Sequence, residues 1–82
     1  MTRVFPNPAR DEISVLLNLT NVGPTQITII DMTGRSVIEQ VVDNGAKGIE
    51  TVQFNIESLQ AGCYIVRVQS GQTVKSTQFI KL

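Results

Sequence analysis

From Glu12 to Leu19 the chain alternates Ile13, Val15, Leu17 and Leu19 against Glu12, Ser14, Leu16 and Asn18, a period of two that predicts a half-buried strand. Asn21-Val22-Gly23-Pro24 breaks it. Gln26 to Asp31 sets Ile27 and Ile29 on one face and Thr28 and Ile30 on the other, and Ser36 to Val42 is a second two-faced run with Val37, Ile38, Val41 and Val42. Both runs are rich in β-branched residues and too short for helices. Asp31-Met32-Thr33-Gly34-Arg35 joins them, with Asp at the first position of a type I turn and Gly34 where a left-handed residue closes a bulged hairpin.

Asp43 to Glu50 has two glycines and no period, and reads as a loop. Thr51 to Ile56 places Val52, Phe54 and Ile56 on one face. Glu57 to Gly62 is then expected to cross over, with one helical turn at most, to a strand from Cys63 to Gln69 that alternates Tyr64, Val66 and Val68 against Cys63, Ile65 and Arg67. Ser70-Gly71-Gln72 makes a tight hairpin loop into a last run from Thr73 to Leu82. With a short strand at Arg3 to Phe5 this gives about seven strands, the spacing of an all-β sandwich. Tyr64 is expected in its core with Leu17, Ile29, Phe54 and Val66. Leu16, Ile30, Ile38, Val42 and Ile65 are expected on outer faces, where with unpaired edge strands they leave room for weak self-association.

At 82 residues the chain holds one small domain. Seven basic and seven acidic residues cancel, so the footprint of a nucleic-acid or anionic-membrane binder is missing. There is no histidine and a single cysteine, Cys63, which leaves out the usual general base, the commonest zinc ligand and any intrachain disulfide. Phe5, Phe54, Tyr64 and Phe79 are the aromatics, too few for a stacking platform. The N-terminal run from Met1 to Pro6 lacks the apolar h-region of a signal peptide, and no apolar run approaches the length of a membrane span. The chain is therefore expected to be either cytosolic or a piece of a larger protein whose export signal lies elsewhere.

Individual residues offer little chemistry. Pro6 and Pro8 flank Asn7, which reads as an edge strand leaving through a rigid loop, with Asn7 as a ligand contact the lesser alternative. Asp31 and Arg35 read as solvated charges at a turn. Asp11 and Glu12 are adjacent, so in a strand they point to opposite faces and form no carboxylate dyad, and Asp31, Asp43 and Glu50 fit no calcium loop. Tyr64, early in its strand after a glycine turn, has the placing of a tyrosine corner, its hydroxyl folded back onto nearby backbone. Cys63 lies on the opposite face with no activating neighbour and reads as a passive small residue.

The order of the motifs is more specific than any one of them. Phe5-Pro6-Asn7-Pro8, an isoleucine-rich strand into Asp31-Met32-Thr33-Gly34-Arg35, then Ser58-Leu59-Gln60-Ala61-Gly62-Cys63-Tyr64-Ile65-Val66-Arg67-Val68, and a closing Phe79-Ile80-Lys81-Leu82 together resemble the C-terminal sorting domain of the type IX (Por) secretion system of Bacteroidetes, from about Val4 to Leu82. The resemblance implies a seven-stranded immunoglobulin-like Greek-key sandwich at the end of a larger exported protein. It implies passage through the periplasm, recognition by an outer-membrane translocon, and cleavage by a cell-surface sortase that attaches or releases the cargo. Carried over residue by residue, it implies that the recognised elements are Gly34 and Arg35 in the hairpin turn, Gly62 at the crossover, and Lys81 and Leu82 at the terminus. No catalytic residue, metal, cofactor, nucleic acid or direct membrane insertion is implied. The domain is expected to fill 1–82, with the cleavage site near or before residue 1 and Met1 an added start. Cys63 departs from the family pattern, where a small or aliphatic residue is usual.

Two other classes fit the same fold: a carbohydrate-binding or adhesive module, for which the aromatic stripe is missing, and a passive spacer in a surface protein. An enzyme ranks last, for want of histidine, a partnered nucleophile or a cofactor motif.

Overall fold

A computed structural model describes residues 2–19, 23–44 and 48–82. The alternating runs become seven strands: β1 (Thr2–Phe5), β2 (Glu12–Leu19), β3 (Gly23–Asp31), β4 (Ser36–Asn44), β5 (Gly48–Asn55), β6 (Gly62–Ser70) and β7 (Thr73–Lys81). They form a three-stranded sheet in the order β1-β2-β5 and a four-stranded sheet in the order β4-β3-β6-β7, every pairing antiparallel. β2 pairs with β5 across β3 and β4 of the other sheet, and β3 pairs with β6 across β4 of its own sheet and β5 of the other, which is the interlocked Greek-key arrangement of an immunoglobulin-like sandwich.

The period-two residues meet between the sheets. Ile13, Val15 and Leu17 of β2 and Val52 and Phe54 of β5 face Ile27 and Ile29 of β3, Tyr64, Val66 and Val68 of β6, and Phe79 of β7, all of them buried. Val4 and Ile56 complete this core at its margins. Tyr64, Leu17, Ile29, Phe54 and Val66 are thus gathered as the alternation predicts. Without a disulfide, a domain of this size depends on that apolar burial.

Two expectations need correction. The loop read over Asp43 to Glu50 is shortened from both ends, because Pro24↔Asp43 and Gly23↔Asn44 extend the β3–β4 ladder and Leu19↔Gly48 to Leu17↔Glu50 extend β2–β5. Cross-strand pairing overrides weak local propensity there. Gly23 and Pro24 likewise open β3 rather than precede it; Pro24 lies outside the β3–β6 ladder, which begins at Thr25, so its missing N–H disrupts only one seam. Asn21, Val22 and 45–47 lie outside the described residues.

The second correction is to the face of β4. Ile29 pairs with Ile38 but Ile30 pairs with Ser36, so Val37 is an extra residue and the register slips by one. A one-residue slip turns every later side chain over. Ile38 and Val42, read as outward, therefore pack against the core, and Val41 is left 62% exposed. Leu16, Ile30 and Ile65 stay half-buried on outer faces.

One core position is chemically out of place. Thr25 is fully buried on the inner face of β3, opposite Val42 and Ser70, and its Oγ1 has no hydrogen-bond partner among the described residues. A buried hydroxyl left unpaired costs stability that an isosteric methyl does not. Thr25→Val is expected to raise the stability of the domain by about 1 kcal/mol, read as a higher denaturation midpoint; a lower midpoint would show that the hydroxyl is satisfied.

Candidate functional site

Antiparallel topology sends four features to one end of the sandwich. Phe5, the last residue of β1, pairs with Ser14 near the start of β2, and Glu12 pairs with Asn55 at the end of β5. Asp31 at the end of β3 pairs with Tyr64, and Gly62 at the start of β6 pairs with Lys81 at the end of β7. The Pro6–Asp11 segment, the Asp31–Arg35 turn, the 56–61 crossover and the chain's last two residues therefore share one pole.

The turn is organised by Asp31. Its Oδ1 accepts hydrogen bonds from the Thr33 amide at 2.9 Å, the Thr33 hydroxyl and the Arg35 amide at 3.1 Å, while Gly34 N donates to Asp31 O and Asp31 N to Arg35 O, each at 3.0 Å. Gly34 holds φ at 89°, a left-handed value that a side chain strains even though the space beside it is open. The Arg35 guanidinium reaches Asp31 Oδ2 at 3.4 Å and its side chain is 78% exposed, so the pair adds little stability and leaves the cation accessible. The Thr33 hydroxyl, then the Arg35 amide, hold the Asp31 carboxyl below its ordinary value. Asp31 is thus the hub of the turn rather than one of two solvated charges; an Asp two residues before Thr33 is the signal for such an Asx turn.

The crossover is fastened at both ends. Glu57 N donates to Asn55 Oδ1 at 2.9 Å, Ile56 N to Asp11 O at 2.8 Å, and Leu59 N to Ile56 O at 3.0 Å. Gly62 enters β6 at φ 152°, again a conformation that suits glycine. Tyr64 stacks on Phe79 with ring centroids 5.5 Å apart, and its hydroxyl donates to Gln60 O at 2.6 Å, the tyrosine corner foreseen from its position. Cys63 is exposed on the other face.

Asn7 has the role that sequence reasoning missed. Its Oδ1 accepts from Ile80 N at 2.9 Å; Ala9 N donates to Ile80 O and Leu82 N to Ala9 O, both at 2.8 Å, and Ala9 forms a parallel bridge with Lys81. Pro6 and Pro8 have no amide to offer, so the side chain between them and the backbone after them make the stitch. Lys81 is buried to 9% exposure, and its Nζ donates to Leu82 O at 3.0 Å. Leu82 is 53% exposed.

Of the five residues expected to be recognised, Arg35 and Gly62 line one hollow of about 440 Å³ between the turn and the crossover. Gly62 and Lys81 are cross-strand partners, and Leu82 lines a second hollow of about 640 Å³ with Pro6, Pro8, Arg10 and Glu57. Gly34 shapes the turn without lining either, and Lys81 turns its ammonium back on its own chain. Among the described residues no group of three or more His, Cys, Asp or Glu gathers to hold a metal.

The model of the secretion-system C-terminal sorting domain family matches residues 3–82, nearly the whole chain, and the chain belongs to that family. Its members are sorting signals of type IX secretion rather than catalysts, and they direct an attached cargo to the cell surface or beyond through that machinery. No curated protein matches the chain.

Because the folded state favours the charged Asp31, the turn's stabilisation is present above the ordinary carboxylate pKa and is lost as pH falls through the lowered one. Asp31→Ala is therefore expected to melt below wild type at neutral pH, with the gap narrowing on acidification; a gap independent of pH would refute the hub role.

Proposed function

We propose that residues 1–82 form the terminal address label of a larger exported protein, which reaches the periplasm by its own signal, is recognised at the outer membrane by the type IX translocon and is then freed of the label by a cell-surface sortase. The observation that carries this reading is the family match across residues 3–82. Gly34, Arg35, Gly62, Lys81 and Leu82 are the recognised elements, in two roles. Arg35 and Leu82, both exposed, make contact. Gly34, Gly62 and Lys81 hold the backbone that presents them.

A label used on unrelated cargoes needs a stable shape, not a reactive group. Recognition of a folded pole, rather than of a linear peptide, supplies that: the elements lie far apart in sequence and meet only after folding.

The test fuses the chain to the C-terminus of a fluorescent reporter with its own signal peptide, in a bacterium with an active type IX system. The reporter is expected at the surface or in the medium, and Arg35→Ala is expected to retain it in the periplasm while costing no more than about 1 kcal/mol of stability, the scale of an exposed ion pair. Retention of the intact fusion, while a known sorting domain delivers the same reporter, would refute the sorting reading in favour of an adhesive module or spacer.

A further inference from the structure

The two poles of the sandwich carry different parts of the chain. β1 starts at Thr2, which pairs with Leu17 in the far half of β2, and runs toward the pole that holds the Asp31–Arg35 turn, the crossover and Leu82. Any segment that precedes Thr2 therefore leaves from the other pole, the end that also carries the Gly71-Gln72 turn and the start of β3. From the level of Leu17 to that of Glu12, at the motif pole, is five residues of strand, or about 17 Å.

We infer that the secretion machinery docks on the motif pole alone, while the cargo junction at the opposite pole stays uncovered and open to cleavage. This rests on the sorting reading and adds to it where each partner sits. The motif pole has the makings of a protein contact. Met32 and Leu82 are exposed apolar side chains, Arg10, Arg35, Asp11 and Glu57 bring charge of both signs, and two hollows break its surface. That mixture of apolar side chains with charges of both signs fits a protein surface rather than a lipid or a polyanion.

Size fixes the character of the contact. The molecule measures 35 × 22 × 18 Å, and strands of nine residues span about 30 Å, so the strands run along the long axis and the pole is the 22 × 18 Å end. Its flat cross-section is about 400 Å², a small footprint for a partner confined to it. A small footprint suits a label that must be released. Edge strand β7 offers no easy extension: Lys75, on its inner face, is exposed, and a charge so placed discourages strand addition.

The experiment uses the reporter fusion with a short hydrophilic tag inserted either between Gly71 and Gln72 or between Thr33 and Gly34. Export is expected to stay within about twofold of the parent for the first, since an insertion at a hairpin tip is tolerated, and to fall at least about tenfold for the second, where it obstructs the docking pole. Thermal melting of each purified domain tells obstruction from unfolding. A second arm avoids insertions altogether. A maleimide polyethylene glycol is attached to the folded domain at Cys63, beside the crossover, or at Gln72→Cys in a Cys63→Ser background, and binding to outer-membrane vesicles from the same bacterium is measured. The Cys63 adduct is expected to lose binding and the residue-72 adduct to keep it. Equal losses in both arms, or the reverse pattern, would overturn the division of poles while leaving the sorting reading intact. An unexported parent fusion would overturn both.

Discussion

The motif pole depends on a stitch of three hydrogen bonds between the Asn7–Ala9 segment and residues Ile80 and Leu82 at the end of the chain. An edge strand needs its outward amides and carbonyls satisfied or guarded, and β7 has them satisfied at Ile80 and Leu82 by a segment that lies about seventy residues away in sequence. The same stitch ties β1, in one sheet, to β7, in the other, and so closes the sandwich at one pole. Phe79 and Lys81, which point inward on either side of Ile80, are buried beneath it. The first and last motifs of the chain are therefore one structural unit, and neither can be presented without the other.

The remaining motifs are arranged around that unit by ordinary sheet geometry. Gly62 lies opposite Lys81, Tyr64 holds the crossover down through Gln60, and Asp31 lies opposite Tyr64 and closes its own turn. Each step is a local bond or a cross-strand pair, yet together they place four sequence motifs on one end face. A surface built this way exists only once the domain has folded, because a chain without its core has no pole.

Much of this was legible in the sequence. Period-two alternation gave the inner faces of β2, β3, β5 and β6, because one buried face is what a two-layer sandwich demands. The Asp31–Arg35 turn and the Tyr64 corner were legible because a turn residue or an early tyrosine acts on its near neighbours. Long-range effects were not. Ile38 and Val42 were misassigned because the bulge at Val37 leaves no mark in composition and reverses every position after it. The ends of β4 and β5 were missed because pairing with Gly23, Pro24 and Leu19 extends strands that have little propensity of their own. Asn7 looks like loop in the sequence because its partner, Ile80, is decided by topology. Of the five residues that the resemblance offers for recognition, Arg35 and Leu82 have exposed side chains whereas Lys81 is buried, a difference that a motif match does not carry.

Amide hydrogen exchange on the isolated domain reads the stitch directly. In the wild type the amides of Ala9, Ile80 and Leu82 should be protected well beyond those of the exposed turns. Asn7→Ala should speed exchange at Ile80 by about fivefold or more, as expected for loss of a hydrogen bond worth about 1 kcal/mol, while Ile29 and Val66, in the β3–β6 ladder, keep their protection. Unprotected exchange at Ile80 in the wild type, or protection there that is indifferent to Asn7, would contradict the stitch and with it the idea that the two ends of the chain form one pole.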